Sequence, residues 1–193
     1  MAQALTPTET FPLAGIVLAG AEPRRFERDR DRLAIPGVTS TAVESVLTVV
    51  TQCCAPVFVV AAPGQPLPGV AATVLRDGVR CGEPLHATGR GLRAAAEAGR
   101  RYAFVCDGRM PHLTVAVISD LVRLAVETDA EVVLPWDGRS LYLAAVYRTD
   151  LANRIDALVA SGEQRMSALI DASDCQQVVL APQLSAGPPQ LVG

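Results

Sequence analysis

Leu13–Gly37 reads LAGIVLAGAEPRRFERDRDRLAIPG, and this stretch decides the fold. Its first seven residues, Leu13–Ala19, are apolar or Gly, with no alternation between apolar and polar positions. A short continuous apolar run suits a strand covered on both faces. Gly20-Ala21 then turns the chain into a basic loop, Glu22–Arg32, which carries Arg24, Arg25, Arg28, Arg30 and Arg32 and closes on Pro36-Gly37. A buried strand feeding a Gly and clustered Arg is one way to hold phosphate. Backbone N–H groups converge on the anion, and guanidinium forks grip its oxygens in pairs.

Working outward, further apolar runs predict strands at 57–62, 73–75, 102–106, 131–135, 141–147 and 177–180. Helical periodicity fills the gaps. Thr41-Ala-Val-Glu44 has capping-box spacing before the stripe Val43, Val46, Leu47, Val50. After a glycine-bearing loop, Gly78–Gly91, a helix is expected from Leu92. Thr114 is placed as the cap of a helix to about Thr128, with Val117, Leu121, Leu124 and Ala125 inward. Thr149–Val159 and Ser161–Asp171 read as helices, the second opened by a Ser161-x-x-Gln164 box. Strands alternating with helices predict one α/β domain, a Rossmann-like three-layer sandwich with a mainly parallel sheet and helices on both faces. The strands near 13–19, 57–62, 102–106 and 131–135 are expected to be parallel neighbours. The domain is placed at 13–180, between a flexible N-terminus (1–12) and a flexible tail rich in Pro and Gly (181–193). Ligands of such sheets lie beyond the carboxyl ends of the strands. Four loops therefore converge there: Gly20–Arg32, Arg76–Arg90, Asp107–His112 and Trp136–Arg139.

The totals exclude several classes. Half of the 193 residues are apolar, enough for a sizeable core. Net charge is −3, which argues against nucleic acid as the main partner. All 17 basic residues are Arg, so no chemistry that depends on Lys is available. Cys53, Cys54, Cys81, Cys106 and Cys175 form no C-x-x-C, and they read as small residues of a reducing compartment rather than a zinc site. His86 and His112 lack partners at metal-ligand spacing and read as loop residues. Residues 1–12 do not have the make-up of a signal peptide, and no apolar run is long enough to span a membrane. A cytoplasmic location without membrane contact is expected.

LAGAEPRRFERDRDRL resembles the N-terminal signature of nucleotidyltransferases, most closely that of the molybdenum cofactor guanylyltransferases, roughly L-A-G-G-x-S-x-R-M-G-x-D-K-x-x-L. Leu18, Ala19, Gly20, Arg25, Asp29 and Leu33 match. Ala21, Pro23, Phe26, Glu27 and Arg30 depart from it, Arg30 standing where the family has Lys. The resemblance continues over roughly 11–180. Leu75-Arg76-Asp77 is similar to a stretch whose Asp lies near base and ribose. Gly82-Glu-Pro-Leu85 resembles a G-P-L segment, with Glu83 at a Gly position, where strain and repulsion of phosphate are expected. Trp136-Asp-Gly-Arg139 with the strand after it resembles the acceptor-side segment. Met110-Pro111 matches the end of x-x-D-M-P, whose Asp holds the nucleotide's magnesium; here Arg109 stands at that position.

The resemblance implies GMP transfer from GTP to molybdopterin, with magnesium as the cofactor and a partner protein in cofactor assembly. It implies Arg25 and Arg30 on the phosphates as catalytic groups and nucleotide contacts from Leu18, Ala19, Gly20 and Asp77. Two residues before Arg109, Asp107 is the candidate stand-in for the metal ligand; the alternative is that Arg109 grips phosphate in the metal's place. Ala21, Glu83, Arg109 and the absence of Asn from the tail all fall on the site rather than the core. A guanidinium does not coordinate a divalent cation. Magnesium-dependent transfer is therefore expected to be absent or severely reduced. Two other readings stay open: a non-catalytic relative that binds a nucleotide, a pterin or a partner protein, and a transferase using another nucleotide or acceptor.

Overall fold

The computed structural model describes residues 12–19, 42–67, 69, 71–76, 83–110, 113–136 and 143–179. Within them the chain runs β1 (Leu13–Leu18), α1 (Ala42–Cys53), β2 (Val57–Ala61), β3 (Thr73–Arg76), α2 (Pro84–Glu97) and β4 (Tyr102–Asp107). It continues through α3 (Val115–Thr128), β5 (Val132–Trp136), β6 (Ala144–Arg148), α4 (Leu151–Ala160), α5 (Met166–Asp171) and β7 (Cys175–Val179). Seven strands form one sheet in the order β3-β2-β1-β4-β6-β5-β7.

β1 is buried at all six positions and pairs in parallel with β2 on one side and β4 on the other. Alternate side chains enter separate cores. Leu13 and Val17 join Val46 and Val50 of α1 and Ile118 and Leu121 of α3. Ala14, Ile16 and Leu18 join Leu85 and Leu92 of α2, Ile155 of α4 and Leu169 of α5. Helices thus cover both faces, which is why strands β1, β2 and β4 read as unbroken apolar runs. β3 is the exception. It is an edge strand with Thr73, Val74 and Arg76 exposed.

Three expectations need correction. First, β5 is not a neighbour of β4. β6 lies between them, antiparallel to both, with Cys106 opposite Ala144 and Val133 opposite Val146. β5 and β6 follow each other closely in the chain and pair antiparallel, so β6 reaches β4 first. Second, the stretch before Leu92 is not all loop, because α2 begins at Pro84. Gly89 and Gly91 sit inside the helix because other side chains occupy the space of their missing Cβ atoms. A Cβ at Gly89 would stand 2.6 Å from Cγ2 of Ile155, and one at Gly91 would stand 2.5 Å from Cγ2 of Ile16. Close helix–sheet and helix–helix approach, not backbone freedom, places these glycines. Third, Ser161 opens no helix. It is the C-cap of α4, where its Oγ donates to the Leu158 carbonyl, and α5 starts after Arg165. The Thr114 cap is as expected, its hydroxyl accepting from Val117 N. Thr41 lies outside the described residues.

Gly91→Ala should destabilise the protein by about 1–2 kcal/mol, because the overpacking against Ile16 outweighs the better helix propensity of Ala. Urea unfolding checks this. Equal or greater stability of the variant would contradict the packing argument.

Candidate active site

The carboxyl ends of β1, β2, β3 and β4 meet at one rim. Leu18, the last residue of β1, is the register partner of Asp107, the last residue of β4. The Gly108 N–H donates to the Leu18 carbonyl at 3.0 Å, and the Ala19 N–H donates to the Val60 carbonyl at 2.8 Å. The end of β1, at Leu18 and Ala19, is therefore bonded to both flanking strands. The rim places Leu18, Ala19, Asp107 and Arg109 together. Gly20, Arg25, Arg30 and Asp77 lie outside the described residues, as do Ala21, Cys81, Pro111, His112 and 137–139.

At the end of β4 both oxygens of the Asp107 carboxylate are engaged. Its Oδ1 accepts from the Arg109 backbone N–H at 2.9 Å and from Arg109 Nε at 3.0 Å; its Oδ2 accepts from Nη2 at 2.8 Å. This is a bidentate fork closing a two-residue turn. The hydrogen bond to Asp107 holds the guanidinium above its ordinary pKa, so the cation is secure. Both groups keep some contact with solvent, so the pair is stabilised only modestly. Charge is the larger consequence. The carboxylate is balanced by an internal cation, and the turn carries no net negative charge for a dication. Among the described residues no group of three or more His, Cys, Asp or Glu side chains is placed to hold a metal ion. The Asp107 carboxylate at the end of β4 is already paired with Arg109, and that pairing opposes a dication there.

Glu83 departs from its expectation. It precedes α2 with φ −92° and ψ 104°, an extended conformation open to any residue, so Glu in place of Gly brings no backbone strain here. Its Oε1 accepts from Gln164 Nε2 at 3.0 Å, which ties the start of α2 to the α4–α5 connection. His86 lies in the first turns of α2 rather than in a loop. Cys53, Cys54 and Cys106 are buried free thiols, as expected of core residues.

Two residues at the rim make contacts that were not legible in the sequence. Gln65, in the Pro-rich turn after β2, donates from Nε2 to the Ala19 carbonyl at 2.7 Å. Arg76, at the end of β3, donates from Nη1 to the carbonyls of Ala62 and Gln65. No periodicity or motif marks a side chain that bonds to main chain 46 residues away. At the opposite edge a cleft of about 420 Å³ is lined by Glu131, Arg148, Asp150 and Arg154. Its charges are matched internally. Glu131 accepts from both Arg148 and Arg154, and the Arg154 hydrogen bond holds its carboxyl below the usual range. That cleft is a structural ion-pair network.

Known proteins share this architecture. Residues 15–178 match the model of the MobA-like NTP transferase domain. The chain is 64% identical over 173 residues to the "Probable molybdenum cofactor guanylyltransferase" of Mycobacterium tuberculosis, which covers 90% of this chain and 86% of the relative. Among solved structures, molybdopterin-guanine dinucleotide biosynthesis protein A from Archaeoglobus fulgidus superposes with a TM-score of 0.64 at 16% identity, over 86% of this chain and 83% of that one. The 2-C-methyl-D-erythritol 4-phosphate cytidylyltransferase of Thermus thermophilus also gives 0.64, at 18% identity over 89% and 91% of the two chains. Those two structures share the fold.

Double-mutant analysis of Asp107→Asn and Arg109→Gln should return a coupling of about 0.5–1 kcal/mol at low ionic strength, shrinking in about 1 M salt. Denaturant unfolding of the four proteins measures it. A coupling indistinguishable from zero at low salt would mean that the fork is not held in solution.

Proposed function

The chain belongs to the MobA-like NTP transferase family, and from that membership we propose that it binds GTP and molybdopterin at the carboxyl rim of its sheet as a guanylyltransferase of molybdenum cofactor assembly. The observation that carries this reading is the 64% identity over 90% of the chain to a relative of that name. The reaction is attack by a phosphate oxygen of molybdopterin on the α-phosphorus of GTP. A new P–O bond forms, the α–β bridging P–O bond breaks, and pyrophosphate leaves. Such transfers depend on positioning and charge neutralisation more than on covalent chemistry by the protein.

Arg25 and Arg30 are assigned to the phosphates, the backbone at Leu18, Ala19 and Gly20 to close approach of the nucleotide, and Asp77 to the nucleoside. Support for the place comes from β1, whose end is bonded to both neighbours where the basic loop departs. No helix among the described residues is long and apolar enough to cross a membrane, and the reading puts the protein in the cytoplasm with its substrates. A divalent metal belongs to the family's chemistry. Since the Asp107 carboxylate is already paired with Arg109, no step is routed through the metal. A second reading is favoured by the fork between Asp107 and Arg109: a relative that holds the nucleotide but turns it over poorly with magnesium. Arg109 cancels the Asp107 charge that would draw a dication, and the neutral turn repels phosphate less.

Replacing Arg25 or Arg30 by Ala should weaken GTP binding by about 1–3 kcal/mol, the scale of a charge-assisted hydrogen bond. Unchanged affinity of both variants in calorimetry would remove the basic loop from the site.

Pyrophosphate release from GTP in the presence of molybdopterin separates the two readings. Under the second reading, magnesium-dependent turnover by the natural protein is absent or severely reduced, and Arg109→Asp should increase its magnesium dependence. Robust magnesium-dependent turnover by the natural protein would support the guanylyltransferase outright and make Asp107 the metal ligand.

A further inference from the structure

The strands whose ends are assigned to the nucleotide do not pair with each other. Leu18 ends β1 and Arg76 ends β3, and β2 lies between those strands. The separation of the two strand ends must therefore be set across the carboxyl end of β2, and Gln65 spans that gap.

Its amide is used at both ends. The Ala62 N–H donates to Oε1 at 3.1 Å, and Nε2 donates to the Ala19 carbonyl at 2.7 Å. An N–H on one side and a carbonyl on the other fix which way the amide points. The backbone of the same residue closes the turn, its N–H donating to the Ala62 carbonyl at 3.2 Å. Its carbonyl then accepts from Arg76 Nη1 at 2.7 Å, and the same nitrogen donates to the Ala62 carbonyl at 2.9 Å. Arg76 immediately precedes Asp77. The chain of bonds runs from Ala19, next to Gly20, through Gln65 to Arg76, next to Asp77. Pro63 and Pro66 flank the turn and limit its backbone freedom. The turn is already closed by its own backbone bond, so the Gln65 side chain is not needed to make it. What the side chain adds is the link to β1.

We propose that Gln65 and Arg76 are positioning residues that form one clamp, coupling the end of β1 to the end of β3 and fixing the separation of these two strand ends at the rim proposed to bind the nucleoside triphosphate. The clamp rests on the assignment of the rim to the nucleotide. Neither side chain has to touch the ligand. The clamp lowers the ordering required on binding by holding both ends of the site in place beforehand.

The test is calorimetric titration of GTP into the full chain, with thermal unfolding of each protein followed without nucleotide. Gln65→Met keeps length and packing but loses both amide bonds, and its affinity for GTP should fall about tenfold. Gln65→Glu should lose at least as much, because a carboxylate has no proton to give the Ala19 carbonyl and repels it. Arg76→Ala should fall by a similar factor. The Gln65→Met/Arg76→Ala double variant should be no weaker than about either single variant, because one clamp can be opened only once. Natural affinity in both Gln65 variants, with melting lowered or not, would overturn the proposal and reduce Gln65 to a turn residue. Multiplication of the two losses to about a hundredfold would also overturn it, since Arg76 would then act on the nucleotide by itself. Failure of the natural protein to bind GTP would instead remove the proposed function, and the clamp's role with it.

Discussion

β1 is the constraint on which the structure depends. Like β2 it has parallel partners on both sides and a helical layer over each face, and it joins β2 to β4. Such a strand can carry no polar side chain without leaving it unpaired in the core. Leu13–Leu18 meets that demand with four aliphatic side chains, one Ala and one Gly. The same constraint sends the chain out of the sheet at a single place, the carboxyl end beside β2 and β4. The basic loop must begin there because β1 has no other exit. Packing thus decides where charge can be brought together, and Gly91 of α2 lies against Ile16 of the same strand. A helix and its glycine are part of how the site's base is held.

Electrostatics at the rim differ from what the family pattern implies. At the end of β4 a carboxylate and a guanidinium two residues apart close on each other. An anionic turn attracts a dication, whereas this neutral turn does not and repels phosphate less. At the start of α2, by contrast, an altered residue proves harmless to the backbone, since Glu83 is extended and bonded to Gln164. The two departures look alike in sequence but differ physically. One balances a carboxylate at the end of β4, and the other is absorbed by a hydrogen bond to Gln164, 81 residues along the chain.

Much of the architecture was legible because burial on both faces leaves a strong mark. The runs at 13–18, 57–61 and 102–107 name themselves as central strands, and Thr114 announces its helix through a hydroxyl that caps it. The beginning of α2 was not legible, because Gly89 and Gly91 look like loop residues until Ile155 and Ile16 are seen occupying the space beside them. Nor was the role of Ser161. Its spacing to Gln164 fits a helix start, but its hydroxyl is spent on the carbonyl of Leu158 behind it.

By itself the sequence determined the fold class, the family and the residue types available at the rim, since these follow from local apolar patterning and from a signature read along the chain. It also showed that Arg109 stands where a carboxylate is expected. Strand order was decided only by the tertiary structure, because an apolar run does not say which neighbour it will have, and β6 entered between β4 and β5. The pairing of Arg109 with Asp107 and the reach of Gln65 to Ala19 were likewise tertiary facts. Hydrogen bonds of that kind depend on where side chains of turns and strand ends are brought in space. Sequence patterning reports burial, and it is silent on the polar contacts made at a rim.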